Sequence, residues 1–401
     1  MISYQGSIDK IYQYLLIVAF FFLPLAVSPN NIAIWLIMII WLLSGNYKNK
    51  FNQVFQNKLA LASMIFFGVH CVALLWTENI SWGLEITRKM LPFLIVLPVL
   101  LTITRKENIK FYIGAFLLAI SISETITYLI WFEVIESFKY AKGPHNPTAL
   151  VSHISYNPLL AFAIYLVAHR IFFEKKKNSF ETILYSFFLA TMSINMFITG
   201  GRAGQIMFFA AIIIIFFQYF KNSKIKAVIS SSVLIFVLAT AAFNYSPLFK
   251  SRVLLAVEDV VHFDGNSNTS IGQRVTFAIN SYELFKRNPI IGIGTGDFPD
   301  EYKKVNLTNS PNVINTVQPH NMYMLILSQL GLFGFASFMM IFYYQFLTAI
   351  NAKNSLVRNI GIALPLLFLL IMWSDSYLLG HYTGNLFILF SSFIYSNNIN
   401  G

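Results

Sequence analysis

Apolar runs long enough to cross a bilayer recur along the whole sequence, and no other feature restricts the possible folds so severely. A hydrocarbon layer about 30 Å thick is crossed by roughly 20 apolar helical residues. Such runs fall at 12–28, 31–45, 59–76, 89–103, 109–132, 158–172, 180–198, 203–220, 227–243, 321–349, 359–374 and 380–396, the second, fourth and sixth being short. Backbone polar groups in lipid must be satisfied within the segment, which selects helices. The expected fold is an all-α polytopic membrane protein of about 12 transmembrane helices, a single membrane domain over residues 1–401. With 56% apolar and only 11% charged residues, the chain lies far outside the soluble range.

The formal net charge of +11 raises the question of a nucleic-acid partner, and the placement of the charges answers it. Lys10, Lys48, Lys50, Lys58, Arg105, Lys106, Lys110, Arg170, Lys175, Lys176, Lys177, Lys221, Lys224, Lys226, Lys353 and Arg358 all fall in alternate loops. The positive-inside rule assigns those loops, and both termini, to the cytoplasm. The opposite short loops hold only Arg88, Lys89, Lys139, Lys142 and Arg202. The basic excess is thus a topology signal, and no nucleic-acid partner is expected. Lys10 to Ser28 resembles a signal peptide, but with many spans following it is expected to stay as an uncleaved first helix. Cys71, the sole cysteine, lies within an expected span, which excludes an internal disulfide and a Cys-based zinc site.

Two outer segments exceed simple turns, a smaller loop over 133–157 and a large one over 244–320. The large loop balances seven basic residues against seven acidic ones and is too rich in Phe, Tyr, Val and Ile for a disordered linker. It is expected to fold onto the membrane mouth. Within it, Thr269 or Ser270 can cap a helix running to about Arg287, with Asn288-Pro289 ending it. Val275, Ala278, Ile279, Tyr282 and Phe285 recur at helical spacing, so this helix is expected to be amphipathic and interfacial.

The chemistry-bearing residues gather on the outer side. Gly200-Gly201-Arg202-Ala203-Gly204 lies between two expected spans. Glycines permit close backbone approach, the following helix starts with unpaired N–H groups, and a guanidinium offers a planar fork to phosphate oxygens. A tight turn with a snorkelling arginine is the plainer reading. Arg274 lies in the first turn of the loop helix, where an ordinary surface charge is the alternative. Gly292, Gly294 and Gly296 make a Gly-x-Gly-x-Gly run after that helix; outside the cytoplasm a nucleotide site is not expected, and a compact turn bringing backbone near the site is.

Pro319-His320-Asn321 precedes the tenth expected span. An imidazole there suits a general base acting on a hydroxyl nucleophile, or simply the cap of a helix. His145, His153 and Tyr156 belong to the smaller loop, with Asp375 and His381 at the last outer turn as lesser candidates. Glu124 falls inside the fifth span, where an ionisable group is costly and suggests function or a neighbouring partner. Arg88 and Lys89 start the fourth span and could attract phosphate or anchor the interface. Glu258 with Asp259, and Asp297 with Asp300 and Glu301, have oxygens suited to Mg²⁺ or Mn²⁺, yet the arginines already supply cations for a diphosphate. A metal-free site without cofactors is expected.

Taken in order, Gly-Gly-Arg-Ala-Gly opening a span, Gly272-Gln273-Arg274 in a long outer loop, Asn-Pro-x-x-Gly-x-Gly-x-Gly-x-Phe and Pro-His-Asn-x-Tyr resemble the O-antigen ligase and polymerase superfamily. The motifs cover about Ile198 to Gly334, and the rest of the chain matches by span count and loop placement. The resemblance implies a GT-C-like integral-membrane glycosyltransferase of the bacterial inner membrane, working on the periplasmic face. Its donor would be a glycan on undecaprenyl diphosphate and, in the ligases, its acceptor a sugar hydroxyl of the lipid A core in lipopolysaccharide biosynthesis, by metal-independent inversion. Carried over residue by residue, Arg202 and Arg274 look like the diphosphate-binding arginines and His320 like the essential histidine; His153 with Tyr156 is similar to a His-x-x-Tyr feature of the smaller loop. Arg88, Lys89, Gly294, Gly296 and Asn321 complete the expected substrate-binding set.

One long outer loop holding both Arg274 and the Pro-His-Asn motif favours ligase over polymerase, which uses the same donor. A protein-directed O-oligosaccharyltransferase is less expected, as no further region follows the twelfth span. A transporter or lipid flippase is the alternative of a different class; it would place polar groups at the midplane and show two corresponding halves.

Overall fold

In the computed structural model, residues 2–174, 178–261 and 269–397 are described; Lys175, Lys176 and Lys177, counted above towards the inner face, lie outside them. These residues form helices and no strand. The helices run α1 Ile2–Phe22, α2 Val27–Leu43, α3 Tyr47–Gln56, α4 Lys58–Val72, α5 Ile80–Leu94, α6 Val96–Ile103, α7 Ile109–Trp131 and α8 His153–Phe173. They continue as α9 Ser179–Ile198, α10 Arg202–Tyr219, α11 Lys224–Tyr245, α12 Pro247–Val261, α13 Ser270–Arg287, α14 Phe298–Asn309, α15 Met322–Asn351, α16 Ser355–Ile371 and α17 His381–Ile394.

Among the described residues, 8 helical stretches are long and apolar enough to cross a membrane: α4 with its following turn, α5 with α6, α7 with its preceding turn, α8, α9, α10, α11 and α15. The four other expected spans coincide with α1, α2, α16 and α17, of which α2 and α16 are apolar but shorter. Two boundaries differ from the sequence reading. Asn79 accepts from Trp82 N at 3.1 Å and so starts α5 well before residue 89, leaving Arg88 and Lys89 in its interior. Similarly, α8 begins at His153 and carries Pro158 inside it, where the span was expected to start at residue 158.

Where the sequence is read as one membrane domain, the internal packing falls into two compact units. The first joins Met1–Ile37 to Glu107–Leu254, and the second joins Met38–Lys106 to Leu255–Gly401. In the first, Asn30 Nδ2 donates to Ala19 O at 2.7 Å, tying α2 to α1, and Tyr112 from α7 donates to Gln13. At the crossing of α8 and α10, a side-chain carbon added at Gly204 would stand 2.3 Å from Asn157 Cβ, and one at Gly201 2.5 Å from His153 O. Only glycine lets two membrane helices touch backbone to backbone this way.

The second unit is organised around a break. Inside α15, Gly331 takes φ 64 and ψ −162, leaving the single long expected span as two helical pieces. The gap is filled by the chain just after α13. Ile293 N donates to Ser328 O at 2.9 Å, Gly294 N to Gln329 O at 3.0 Å, Leu332 N to Pro289 O at 2.8 Å and Phe333 N to Ile290 O at 3.1 Å. Irregular backbone at such a depth is tolerated because protein groups satisfy it. Gly292 and Gly331 have positive φ, and a Cβ on either would lie 2.3 or 2.4 Å from the other segment's backbone.

The large loop folds as α12, α13 and α14, where the sequence suggested one helix. Thr269 caps α13 by accepting from Gly272 N at 3.1 Å, as expected of its Thr-Ser start. The face that packs on the protein is the more polar one. Gly272, Thr276, Phe277, Asn280, Ser281 and Leu284 are buried, while Val275, Ile279 and Tyr282 face outward. Asn280 sets this turn of the helix, since its buried amide donates to Asn306 Oδ1 at 3.1 Å and Tyr302 Oη at 3.4 Å. A polar side chain with buried partners fixes the packed face, which leaves the apolar stripe turned outward.

Candidate functional site

The second unit builds its candidate site at the entrance to α15. Asn321 caps that helix, its Oδ1 accepting from Tyr323 N at 3.0 Å and Met324 N at 3.1 Å. Asn321 is therefore a structural cap, buried and committed to backbone. The preceding residue, His320, has φ 48, a left-handed conformation costing a non-glycine residue roughly 1 kcal/mol. Its ring packs against Phe277 of α13, with centroids 6.0 Å apart.

His320 Nδ1 lies 3.1 Å from Asp375 Oδ1. Asp375 sits in the turn between α16 and α17, and the same oxygen accepts from Ser376 N at 2.8 Å. A carboxylate beside Nδ1 holds the proton on that nitrogen and leaves the Nε2 lone pair free, the arrangement a general base requires. Among the described residues Nε2 has no hydrogen-bond partner.

Arg274 is placed by the same helix. It stands three residues before Phe277, on the face that meets His320, because residues three apart on a helix are neighbours. Half-buried, it has no ion-pair or hydrogen-bond partner among the described residues. Tyr377 links the two ends of this group. Burial, followed by the neighbouring Asp375 carboxylate, raises its phenol above the usual range, while a Ser374 hydrogen bond and the Arg274 charge act oppositely. The second unit thus brings together Arg274, Phe277, His320, Asp375 and Tyr377.

Other expected residues of this unit are elsewhere. Gly294 and Gly296 are buried against Thr77, Asn79 and Gly83, and a Cβ at Gly296 would lie 2.2 Å from Asn79 O. Their role is packing of the chain that fills the α15 break. Exposed Arg88 makes two 2.9 Å hydrogen bonds to Glu85, and Lys89 Nζ lies 3.5 Å from the same carboxylate. The acidic cluster is engaged by the protein: Asp297 accepts from Glu78 N at 3.1 Å and Asn79 N at 2.8 Å, Asp300 from Asn79 Nδ2 at 2.7 Å, and Glu301 pairs with Arg287 and Lys304. Asp259 accepts from Ile271 N at 3.3 Å at the start of α13. Among the described residues no group of three or more His, Cys, Asp or Glu is arranged to hold a metal.

The first unit carries a separate constellation. Arg202 opens α10, and Gly201 before it packs on α8 at His153 and Asn157. Asn146 Nδ2 lies 3.3 Å from His153 Nδ1, drawing the smaller loop back onto the start of α8. Tyr156 is fully buried and donates to Asn195 Oδ1 at 2.9 Å, so it braces α8 on α9. Glu124 is also buried, within electrostatic reach of Tyr128 and Tyr156 and near Thr191.

The same unit holds an apolar cavity of about 760 Å³ lined from α7 to α11, including Trp131, Leu189, Phe208, Ile215 and Leu238. It reaches Phe197, Ile198 and Ser246, which lead into the Gly200–Arg202 turn and into α12. Its volume and lining suit a hydrocarbon ligand.

Residues 187–339, from α9 to beyond the break in α15, match the family model described as O-antigen ligase. The match includes Arg202, Arg274 and His320 and supports a place in the O-antigen ligase and polymerase superfamily. It indicates a glycosyltransferase-like enzyme of O-antigen biosynthesis and, with the apolar helices, a multi-pass bacterial membrane protein. No curated protein matches the chain at a significant level.

Proposed function

We propose that this protein belongs to the O-antigen ligase and polymerase superfamily and is a ligase of the bacterial inner membrane. Its donor is a glycan on undecaprenyl diphosphate and its acceptor a sugar hydroxyl of the lipid A core, with transfer on the periplasmic face and both termini cytoplasmic. The observation that carries this reading is the 3.1 Å contact of His320 Nδ1 with Asp375, on the same side of α13 as a half-buried arginine without an acidic partner.

In the proposed reaction, His320 Nε2 takes the proton of the acceptor hydroxyl as its oxygen attacks the anomeric carbon. The bond from that carbon to the diphosphate oxygen breaks on the opposite face, its electron pair leaving with the diphosphate, so configuration inverts. Charge grows on the departing diphosphate, and Arg274, beside His320, stabilises it more in the transition state than in the ground state; the family resemblance gives Arg202 the same kind of role. Asp375 keeps the His320 ring in the useful tautomer and supports the imidazolium as it forms. The apolar cavity of the first unit accommodates part of the polyprenyl chain. No metal is assigned a part, since the acids nearest these elements are engaged by amides and by basic side chains.

A gene deletion examined for surface polysaccharide tests this reading. Loss of a ligase leaves bare lipid A core while lipid-linked polymer accumulates; loss of a polymerase leaves core capped by a single repeat, and that result would reassign the acceptor. His320→Ala and Arg202→Ala should reproduce the deletion while the protein still reaches the membrane. Transport of lipid-linked glycan across vesicles by purified protein, without transfer to any acceptor, would favour a flippase and reject the enzyme.

A further inference from the structure

We infer that Arg252 is a further donor-binding residue, which reads the diphosphate of the lipid carrier from the first unit. The inference rests on the proposed donor, and it concerns a residue that motif reading passes over, since Arg252 lies in α12 with no recognisable pattern around it.

The placement of Arg252 follows from how α12 is attached. Ser246 Oγ donates to Phe197 O at 2.7 Å and accepts from Phe249 N at 3.1 Å, so one hydroxyl both ties the chain to the end of α9 and caps α12. Pro247 follows in the first helical position, where its missing N–H costs nothing. Phe249 is buried edge-on against Phe197, with ring centroids 5.1 Å apart. Arg252 is three residues further on the same face, which carries it along α9 towards the Gly200–Arg202 turn.

There it lies beside a bare backbone. A side-chain carbon added at Gly200 would stand 3.5 Å from Arg252 Nη2 and 3.8 Å from His153 Cδ2, so the two side chains approach the glycine together. Both Arg252 and Lys142 act electrostatically on the His153 ring. Arg252 is half-buried, yet among the described residues it has neither an acidic partner nor a hydrogen-bond acceptor. A guanidinium held on a packed helix face without an anion is unlike a surface charge free to extend into water.

The apolar cavity adjoins this cationic cluster. Phe197 and Ser246, which seat α12, also line the 760 Å³ apolar space, so the cationic cluster and the hydrocarbon site share their structural residues. A ligand satisfying both is an anion joined to a long apolar chain. Arg252 lies over Gly200, and a diphosphate offers its guanidinium fork more charge and more acceptor oxygens than a monophosphate does. Diphosphate is therefore distinguished from monophosphate on the same lipid.

The test uses full-length protein in nanodiscs, with undecaprenyl diphosphate and undecaprenyl monophosphate as probes. Wild type should bind the diphosphate at least about tenfold more tightly than the monophosphate, the order expected of an added charge-assisted contact. Arg252→Ala should weaken diphosphate binding about 10- to 100-fold with monophosphate binding held within about threefold, erasing the discrimination. Arg252→Lys, which keeps the charge without the fork, should fall between the two and carries the same test should the alanine variant not accumulate. Unchanged discrimination in these variants, with wild type binding the diphosphate, overturns the role of Arg252 alone. Equal loss of both lipids would mark a structural residue and also overturn it. Failure of wild type to bind the diphosphate would overturn this role together with the donor on which it rests.

Discussion

Replacing Asp375 with asparagine isolates the electrostatic part of the proposed base. Asp375 Oδ1 alone receives both His320 Nδ1 and Ser376 N, at 3.1 and 2.8 Å. An amide oxygen in that position keeps both donors and therefore the tautomer of His320, so the substitution removes charge and little else. At 3.1 Å, a carboxylate stabilises an imidazolium by about 1 kcal/mol in water and about 5 kcal/mol at the effective dielectric near a protein surface. The side chains of His320 and Asp375 are 35% and 17% exposed, which places the pair in the lower part of that range. A loss of about 1–3 kcal/mol corresponds to kcat reduced about 5- to 160-fold. The assay is transfer from a synthetic polyprenyl diphosphate glycan to lipid A core by purified protein in nanodiscs, with kcat and donor KM measured separately. Donor KM should stay within about threefold, because the lost interaction belongs to the transition state. His320→Ala combined with Asp375→Asn should be no slower than His320→Ala alone, since groups that act as a unit are not additive. An Asp375→Asn enzyme within about threefold of wild type, or a double variant whose losses multiply, would refute the pairing.

Three other outcomes are expected. Gly331→Ala places a Cβ 2.4 Å from the Ile290 backbone at a φ of 64, so it should cost at least about 2 kcal/mol and lower the detergent melting temperature clearly; a wild-type melting curve would refute the backbone exchange at the α15 break. Tyr156→Phe removes only a buried hydrogen bond to Asn195 and should cost about 1 kcal/mol of stability with donor KM unchanged; a raised KM would return Tyr156 to the binding site. Treatment with EDTA should leave transfer intact in the reconstituted assay, and inhibition reversed by Mg²⁺ would give an acidic cluster a role.

Sequence alone determined the class of fold, because apolar length and the absence of solvated interruptions are local properties and lipid allows helices few alternatives. It also determined the helix carrying Arg274, since the Thr269 cap and the Asn288-Pro289 stop act within a turn of the residues they control. The motifs containing Arg202, Arg274 and His320 were likewise readable as residue types in order. Tertiary structure decided how they are used. Asp375 is 55 residues from His320 in sequence, and nothing local distinguishes it from other turn acids. The glycines at 292 to 296 could be read as close-approach positions, but only the folded chain identifies their neighbour as the break in α15 and the residue 77–83 turn. Which face of α13 packs depended on Asn280 finding Asn306 and Tyr302, a partnership invisible to periodicity. Arg252 emerged because Ser246 and Phe249 fix α12 on α9; single charges at the surface and charges held over a glycine look alike in a sequence, and differ only in what surrounds them.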